Sequence, residues 1–98
     1  MLSSTSKHHG INAKNLLSLP QTTGVYIFFG EGNFPLYIGK SINIRSRVLS
    51  HLRNPNEKKM IAQALKIDFI ETAGEIGALL LESQMIKEHS PLFNRRCH

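Results

Sequence analysis

The chain has 98 residues, 41% of them hydrophobic and 19% charged, which is enough apolar material for one small core and too little for two domains. Twelve Lys and Arg against seven Asp and Glu leave a net charge of +5, which tilts the expected partners toward polyanions. The single cysteine, Cys97, excludes an intramolecular disulfide and a Cys-based zinc site and fits a reducing cytoplasm; no apolar run approaches the roughly 20 residues of a membrane span, and residues 1–12 lack the apolar stretch of a secretory signal.

Residues 1–11 are rich in Ser, His and Gly and read as a flexible lead-in. The clustered leucines of residues 12–19 predict a short helical turn stopped by Pro20, so residues 1–18 form a lead-in and residues 19–98 the folded domain. Val25-Tyr26-Ile27-Phe28-Phe29 is a β-branched and aromatic run of strand length, and Leu36-Tyr37-Ile38-Gly39 is a second. Between them Gly30-Glu31-Gly32-Asn33 and Pro35 carry turn chemistry, which predicts an antiparallel hairpin with a loop longer than two residues. Ile44, Val48, Leu49 and Leu52 recur at helical spacing until Asn54-Pro55. Asn56 is then expected to cap a second helix that buries Met60, Ile61, Ala64 and Leu65. Residues 67–72 read as a third strand, broken at Gly74. A longer helix follows to Glu88, with Ile76, Leu79, Leu80, Met85 and Ile86 expected in the core. The element order implies an α+β (mixed α/β) domain with a small, mostly antiparallel sheet.

Tyr26 and Tyr37 sit on the two strands of the predicted hairpin, so strand pairing brings both phenols into one neighbourhood. Cross-strand aromatic packing alone accounts for such a pair; what adds chemistry is the company of Lys40, Arg45, Arg47 and His51. Arg47 and His51 are four apart on one helix face and can approach a common anion. Glu82 lies among apolar neighbours in the last helix, a costly place for a carboxylate unless it is partnered. A divalent cation, an ion pair with Lys87 or Arg47, or projection into solvent each satisfies it. Together the set suits phosphodiester cleavage: a metal on Glu82, Arg47 and Lys40 against developing negative charge, and a tyrosine or His51 moving a proton. Residues 40–66 carry seven basic side chains against the single acid Glu57, a charge asymmetry that a nucleic-acid track uses. No glycine-rich phosphate loop, zinc-deaminase signature or nucleophile elbow is present.

Gly24-Val25-Tyr26, ten residues, then Tyr37-Ile38-Gly39-Lys40-Ser41 resembles the signature of the GIY-YIG nucleases, with Val25 in place of the middle Ile. The similarity continues through residues 43–52, through Glu75-Ile76-Gly77-Ala78-Leu79-Leu80-Leu81-Glu82, and to Pro91-Leu92-Phe93-Asn94. Within that family the blocks are most similar to the excision-repair branch of UvrC and Cho type. The resemblance implies a small three-stranded antiparallel sheet flanked by helices and a DNA endonuclease using one Mg²⁺ or Mn²⁺ ion. Carried over position by position, it makes Tyr26, Tyr37, Lys40, Arg47, His51, Glu82 and Asn94 the catalytic set, with Glu82 the metal ligand. Gly24 and Gly39 are structural members of the motif: Gly39 because a side chain there crowds the site, Gly24 because the chain turns into the strand. Lys40, Arg45, Arg53, Lys58 and Lys59 are the expected DNA contacts.

The implied activity is the 3′ incision near bulky lesions in nucleotide excision repair, in the bacterial cytoplasm. The implied partners are damaged double-stranded DNA and a UvrB-type protein that loads the nuclease, with no membrane. A restriction or mobile-element nuclease of the same family is the rival reading within enzymes, and a non-catalytic DNA-binding adaptor is the rival outside them. Retention of Tyr26, Tyr37, Arg47 and Glu82 together favours catalysis, because binding alone needs no metal-ligating carboxylate.

Overall fold

Strand β1 (Gly24–Phe29) is aromatic and β-branched on both faces because it is the middle of the sheet and is covered on both. The computed structural model describes residue 11 and residues 16–94, so most of the expected lead-in lies outside the described residues. β1 pairs antiparallel with β2 (Pro35–Ser41) on one side and with β3 (Lys66–Glu71) on the other, giving the order β2-β1-β3. The hairpin loop folds into a 3₁₀ turn (Glu31–Asn33), and the left-handed φ of Gly32, +67°, falls where glycine carries no steric cost. Three helices pack with the sheet among the described residues: α1 (Ile44–Arg53), α2 (Lys58–Gln63) and α3 (Glu75–His89). None is long and apolar enough to cross a membrane among the described residues.

The sheet separates two apolar layers. Tyr26, Phe28 and Leu36 pack with Ile44 and Val48 of α1 and with Met60 and Ala64 at α2. On the other face Val25, Ile27 and Ile38 pack with Ala78, Leu81, Met85 and Ile86 around α3. Residues 36 and 38 serve opposite layers, which strand alternation alone forbids. The register supplies the reason: Phe28 pairs with Tyr37 but Phe29 with Pro35, so Leu36 is the extra residue of a bulge. Leu36 turns toward Phe93, whose backbone N–H donates to the Leu36 carbonyl at 2.8 Å.

Three expectations need correction. Leu65 is 40% exposed, since α2 ends at Gln63 and Leu65, two residues beyond it, turns outward while Ala64 stays buried. Asn54, rather than Asn56, is the capping residue: its side chain accepts from the Asn56 N–H and starts a 3₁₀ turn (Pro55–Glu57) ahead of α2. In α3, Ile76, Leu79 and Leu80 are exposed, by 75%, 47% and 64% respectively. That helix is apolar almost all round, so its periodicity does not single out a face. Small Ala78 lets the helix approach the sheet, and the face that it shares with Leu81 and Met85 becomes the buried one.

Both motif glycines are close-approach positions inside strands. A Cβ on Gly39 meets the Tyr26 ring and comes within 2.9 Å of Tyr37 Cε2. A Cβ on Gly24 meets the Ile70 carbonyl and comes within 2.9 Å of Glu71 Cα. Gly24 is thus needed for the tight β1–β3 pairing, not for a turn into the strand. Gly39→Ala is expected to cost roughly 1–3 kcal/mol through overpacking, read as a lower urea midpoint with unchanged m-value.

Candidate active site

The site begins at the cross-strand pair of Tyr26 and Gly39. With no side chain opposite, the Tyr26 ring lies across Gly39 and reaches α1, where its Oη is 2.6 Å from His51 Nε2. His51 is the one buried polar or charged side chain among the described residues, 7% exposed. Its ring is walled by Tyr37, Tyr26 and Phe28, with centroids 5.1, 5.4 and 5.5 Å away. Asn43 caps α1 by accepting from the Ser46 N–H at 3.0 Å, which sets the helix phase that turns Val48 and His51 inward. Arg47, on the same helix, is exposed.

Lys40 and Glu82 approach from the α3 side of the sheet. β2 is an edge strand, and its outward backbone groups need partners. A side chain from beyond α3 supplies them at Ile38. The Asn94 amide accepts from the Ile38 N–H at 2.8 Å and donates to the Ile38 carbonyl at 2.9 Å. One step further along, the Glu82 carboxylate feels the backbone and the ammonium of Lys40. The edge of β2 is therefore where the two faces meet, and the site wraps around it. Burial raises the Glu82 carboxyl above the ordinary carboxylate range, against the opposing pull of the Lys40 ammonium and backbone. Lys40, rather than Lys87 or Arg47, is the cation that Glu82 feels.

The electrostatics converge on Tyr26. Burial raises its phenol well above the ordinary tyrosine value; Tyr37, Glu57 and Glu82 push the same way, and Arg47 alone opposes them. Tyr26 therefore keeps its proton at neutral pH, and any role as proton acceptor requires somewhere for that proton to go.

Of the expected set, the fold brings together Tyr26, Tyr37 and His51, places Arg47 and Glu82 within electrostatic reach of Tyr26, and lays Lys40 against Glu82. Asn94 is held on the Ile38 backbone, directly between Tyr37 and Gly39. Arg45, expected on DNA, spends its Nε on the Leu19 carbonyl at 2.9 Å and its Nη2 on the Leu17 carbonyl at 3.0 Å, tying down the segment before β1. Arg53, Lys58 and Lys59 are exposed, and Arg53 and Lys58 line one shallow groove of about 310 Å³. A cavity of about 590 Å³ lies at the other end of the hairpin among Gly30, Phe34 and Leu65 and contains none of these residues. Sequence reading missed Glu57 as a member of the cluster. Its carboxylate pairs with His51 Nδ1 and is reached by Asn54 Nδ2 at 3.4 Å.

No group of three or more His, Cys, Asp or Glu side chains converges among the described residues. A single half-buried carboxylate matches the habit of Mg²⁺, which keeps most of its waters and takes one or two protein oxygens with phosphate completing the shell. The donor set thus fits such an ion at Glu82.

The profile of the UvrC-like GIY-YIG domain matches residues 22–95. The chain therefore belongs to the UvrC-like GIY-YIG domain family. It is 65% identical over 82 residues to the excinuclease Cho of Escherichia coli O6:H1, which covers 83% of this chain and 28% of that protein. It is 46% identical over 77 residues to the UvrABC system protein C of Deinococcus radiodurans, covering 78% of this chain and 12% of that one. The chain thus spans less than a third of the length of these curated relatives. Among solved structures, the magnesium-bound GIY-YIG N-terminal endonuclease domain of UvrC from Thermotoga maritima superposes with a TM-score of 0.74 at 32% identity, covering 83% of this chain and 92% of that one. A point mutant of the same domain bound to its catalytic divalent cation superposes with a TM-score of 0.75 at 30% identity, covering 86% and 98%. These structures share the three-stranded antiparallel sheet with three helices.

Because the folded state holds Tyr26 protonated, the stability tied to its neutral phenol is fully present below the unfolded pKa of about 10 and is lost as pH rises beyond it. In an alkaline titration the Tyr26 phenolate absorbance at 295 nm is expected to appear only together with the loss of far-ultraviolet dichroism. Tyr26→Phe should remove that component and move the alkaline transition upward. Ionisation of Tyr26 near pH 10 in the folded chain contradicts the assignment.

Proposed function

We propose that this domain is a divalent-metal-dependent DNA endonuclease, and that it makes the 3′ incision near bulky lesions in nucleotide excision repair. The observation that carries the reading is the packing of Tyr37 and His51 around the Tyr26 phenol, with Arg47 and Glu82 within electrostatic reach of it. A packing cluster requires neither Arg47 nor a half-buried carboxylate there. The identity to Cho and UvrC proteins supports the excision-repair assignment over a restriction or mobile-element nuclease.

Arg47 sets a fixed positive charge where a phosphate accumulates negative charge during attack. Lys40, beside Glu82, adds a second positive charge on the other side of the β2 edge. Tyr26 and Tyr37 present phenol oxygens to the attacking water, and His51 is placed to take the proton that Tyr26 gives up. Asn94 holds the strand segment that carries Tyr37 and Gly39. A cation bound at Glu82 supplies Lewis-acid polarisation of a phosphate oxygen.

The substrate surface is the exposed basic side near α1 and α2. Glu57 is the only acid in residues 40–66, and its carboxylate is paired with His51, so Arg53, Lys58 and Lys59 face a phosphate backbone without a competing acid from that stretch. Phosphate contacts position a protein without carrying lesion information. Damage specificity is accordingly delegated to a UvrB-type loading partner acting on bacterial cytoplasmic DNA.

Glu82→Gln keeps the side-chain shape and removes the charge that holds a hard cation. It is expected to abolish Mg²⁺-dependent nicking and the rise of Tm on adding Mg²⁺, while dichroism and most DNA affinity stay; near wild-type nicking sinks the reading. Arg53→Ala and Lys58→Ala are expected to weaken binding to all duplex sequences alike. Each should make log K less steep in log salt by about 1 per lost phosphate contact, as measured by fluorescence anisotropy.

A further inference from the structure

We propose that Glu57 is a positioning residue of this site, fixing the proton of His51 on Nδ1 so that Nε2 faces Tyr26 as an acceptor. Its catalytic consequence rests on the nuclease reading above; the tautomer itself does not.

An ionised carboxylate only accepts hydrogen bonds, so the imidazole nitrogen facing Glu57 must be the one that carries hydrogen. In the neutral ring Nε2 is then bare, and the short contact to Tyr26 is an O–H donating to nitrogen. The aromatic walls from Tyr26, Phe28 and Tyr37 hold the ring plane but do not choose between its two nitrogens. Glu57 makes that choice.

Ordinary surface pairing does not account for Glu57. Arg53, Lys58 and Lys59 are near it in sequence and exposed, yet its partner is the buried histidine. The Asn54-Pro55 break returns the chain so that residue 57 comes under residue 51, and Asn54 steadies the second carboxylate oxygen. The arrangement gives Tyr26 an exit for its proton. As its oxygen receives a proton from the attacking water, the phenolic proton passes to Nε2, and the imidazolium so formed lies against the Glu57 carboxylate. One proton enters and one leaves, and a buried tyrosinate never accumulates.

The test is ¹⁵N NMR of the imidazole nitrogens in the full chain, with His51 assigned among the five histidines by its loss in His51→Gln. The expected result is a neutral ring protonated on Nδ1 in the wild type and in Glu57→Gln, whose amide oxygen still accepts, and a loss of that preference in Glu57→Ala. Protonation on Nε2 in the wild type, or an unchanged Nδ1 proton in Glu57→Ala, overturns the proposal. Nicking by Glu57→Ala should fall by on the order of 10- to 100-fold, recover at least in part in Glu57→Gln, and show no further loss when Glu57→Ala is added to His51→Gln. Additive losses overturn it as well. Should Glu57→Ala fail to fold, the wild-type tautomer still decides. A wild-type chain that does not nick DNA refutes the nuclease reading and leaves the tautomer result standing.

Discussion

Everything in the site depends on the absence of one methyl group. Tyr26 can lie across its strand neighbour only because residue 39 has no Cβ, and the position it thereby takes brings its oxygen to His51. Any side chain at 39 lifts the phenol off the sheet and separates it from the helix that carries both His51 and Arg47. The motif spacing follows from the same contact, because the bulge at Leu36 must absorb one residue for Tyr37 to share a face with Phe28 and Gly39 to oppose Tyr26.

A second organising constraint is the unpaired edge of β2. Edge strands must be protected, and here the protecting residue, Asn94, belongs to the candidate site. Glu82 and Asn94 come from separate elements on either side of the last turn; Asn94 clasps the Ile38 backbone, and Glu82 lies in the field of the next outward residue, Lys40. A carboxylate on the α3 face and a phenol on the α1 face can thus feel one another, because the sheet ends between them.

The hairpin, the three helices and the third strand were legible in the sequence because each has its own signal: β-branched runs, a clear apolar stripe on α1, and Pro or Gly breaks. Ile76, Leu79 and Leu80 defeated the reading of α3 because a helix with leucines on every side offers no periodic contrast; the small Ala78, invisible as a hydrophobic anchor, chose the face. At the site, the motif spacing put both tyrosines together and the helical spacing aligned Arg47 with His51. Glu57 was not legible. It lies six positions after His51 and beyond a proline break, so neither helix nor strand periodicity connects the two; only its solitude among basic residues marked it.

The Asn94 clasp also sets an order of events during synthesis. Its partner, Ile38, lies 56 positions earlier in the chain. A ribosome has therefore made the hairpin, α1 with its histidine and arginine, and the whole of α3 before the residue that closes the strand edge leaves the exit tunnel. Until then the YIG segment lacks its outer partner, so a nascent chain carries nearly all of the candidate site in an unfinished frame, and a premature stop before position 94 leaves it there.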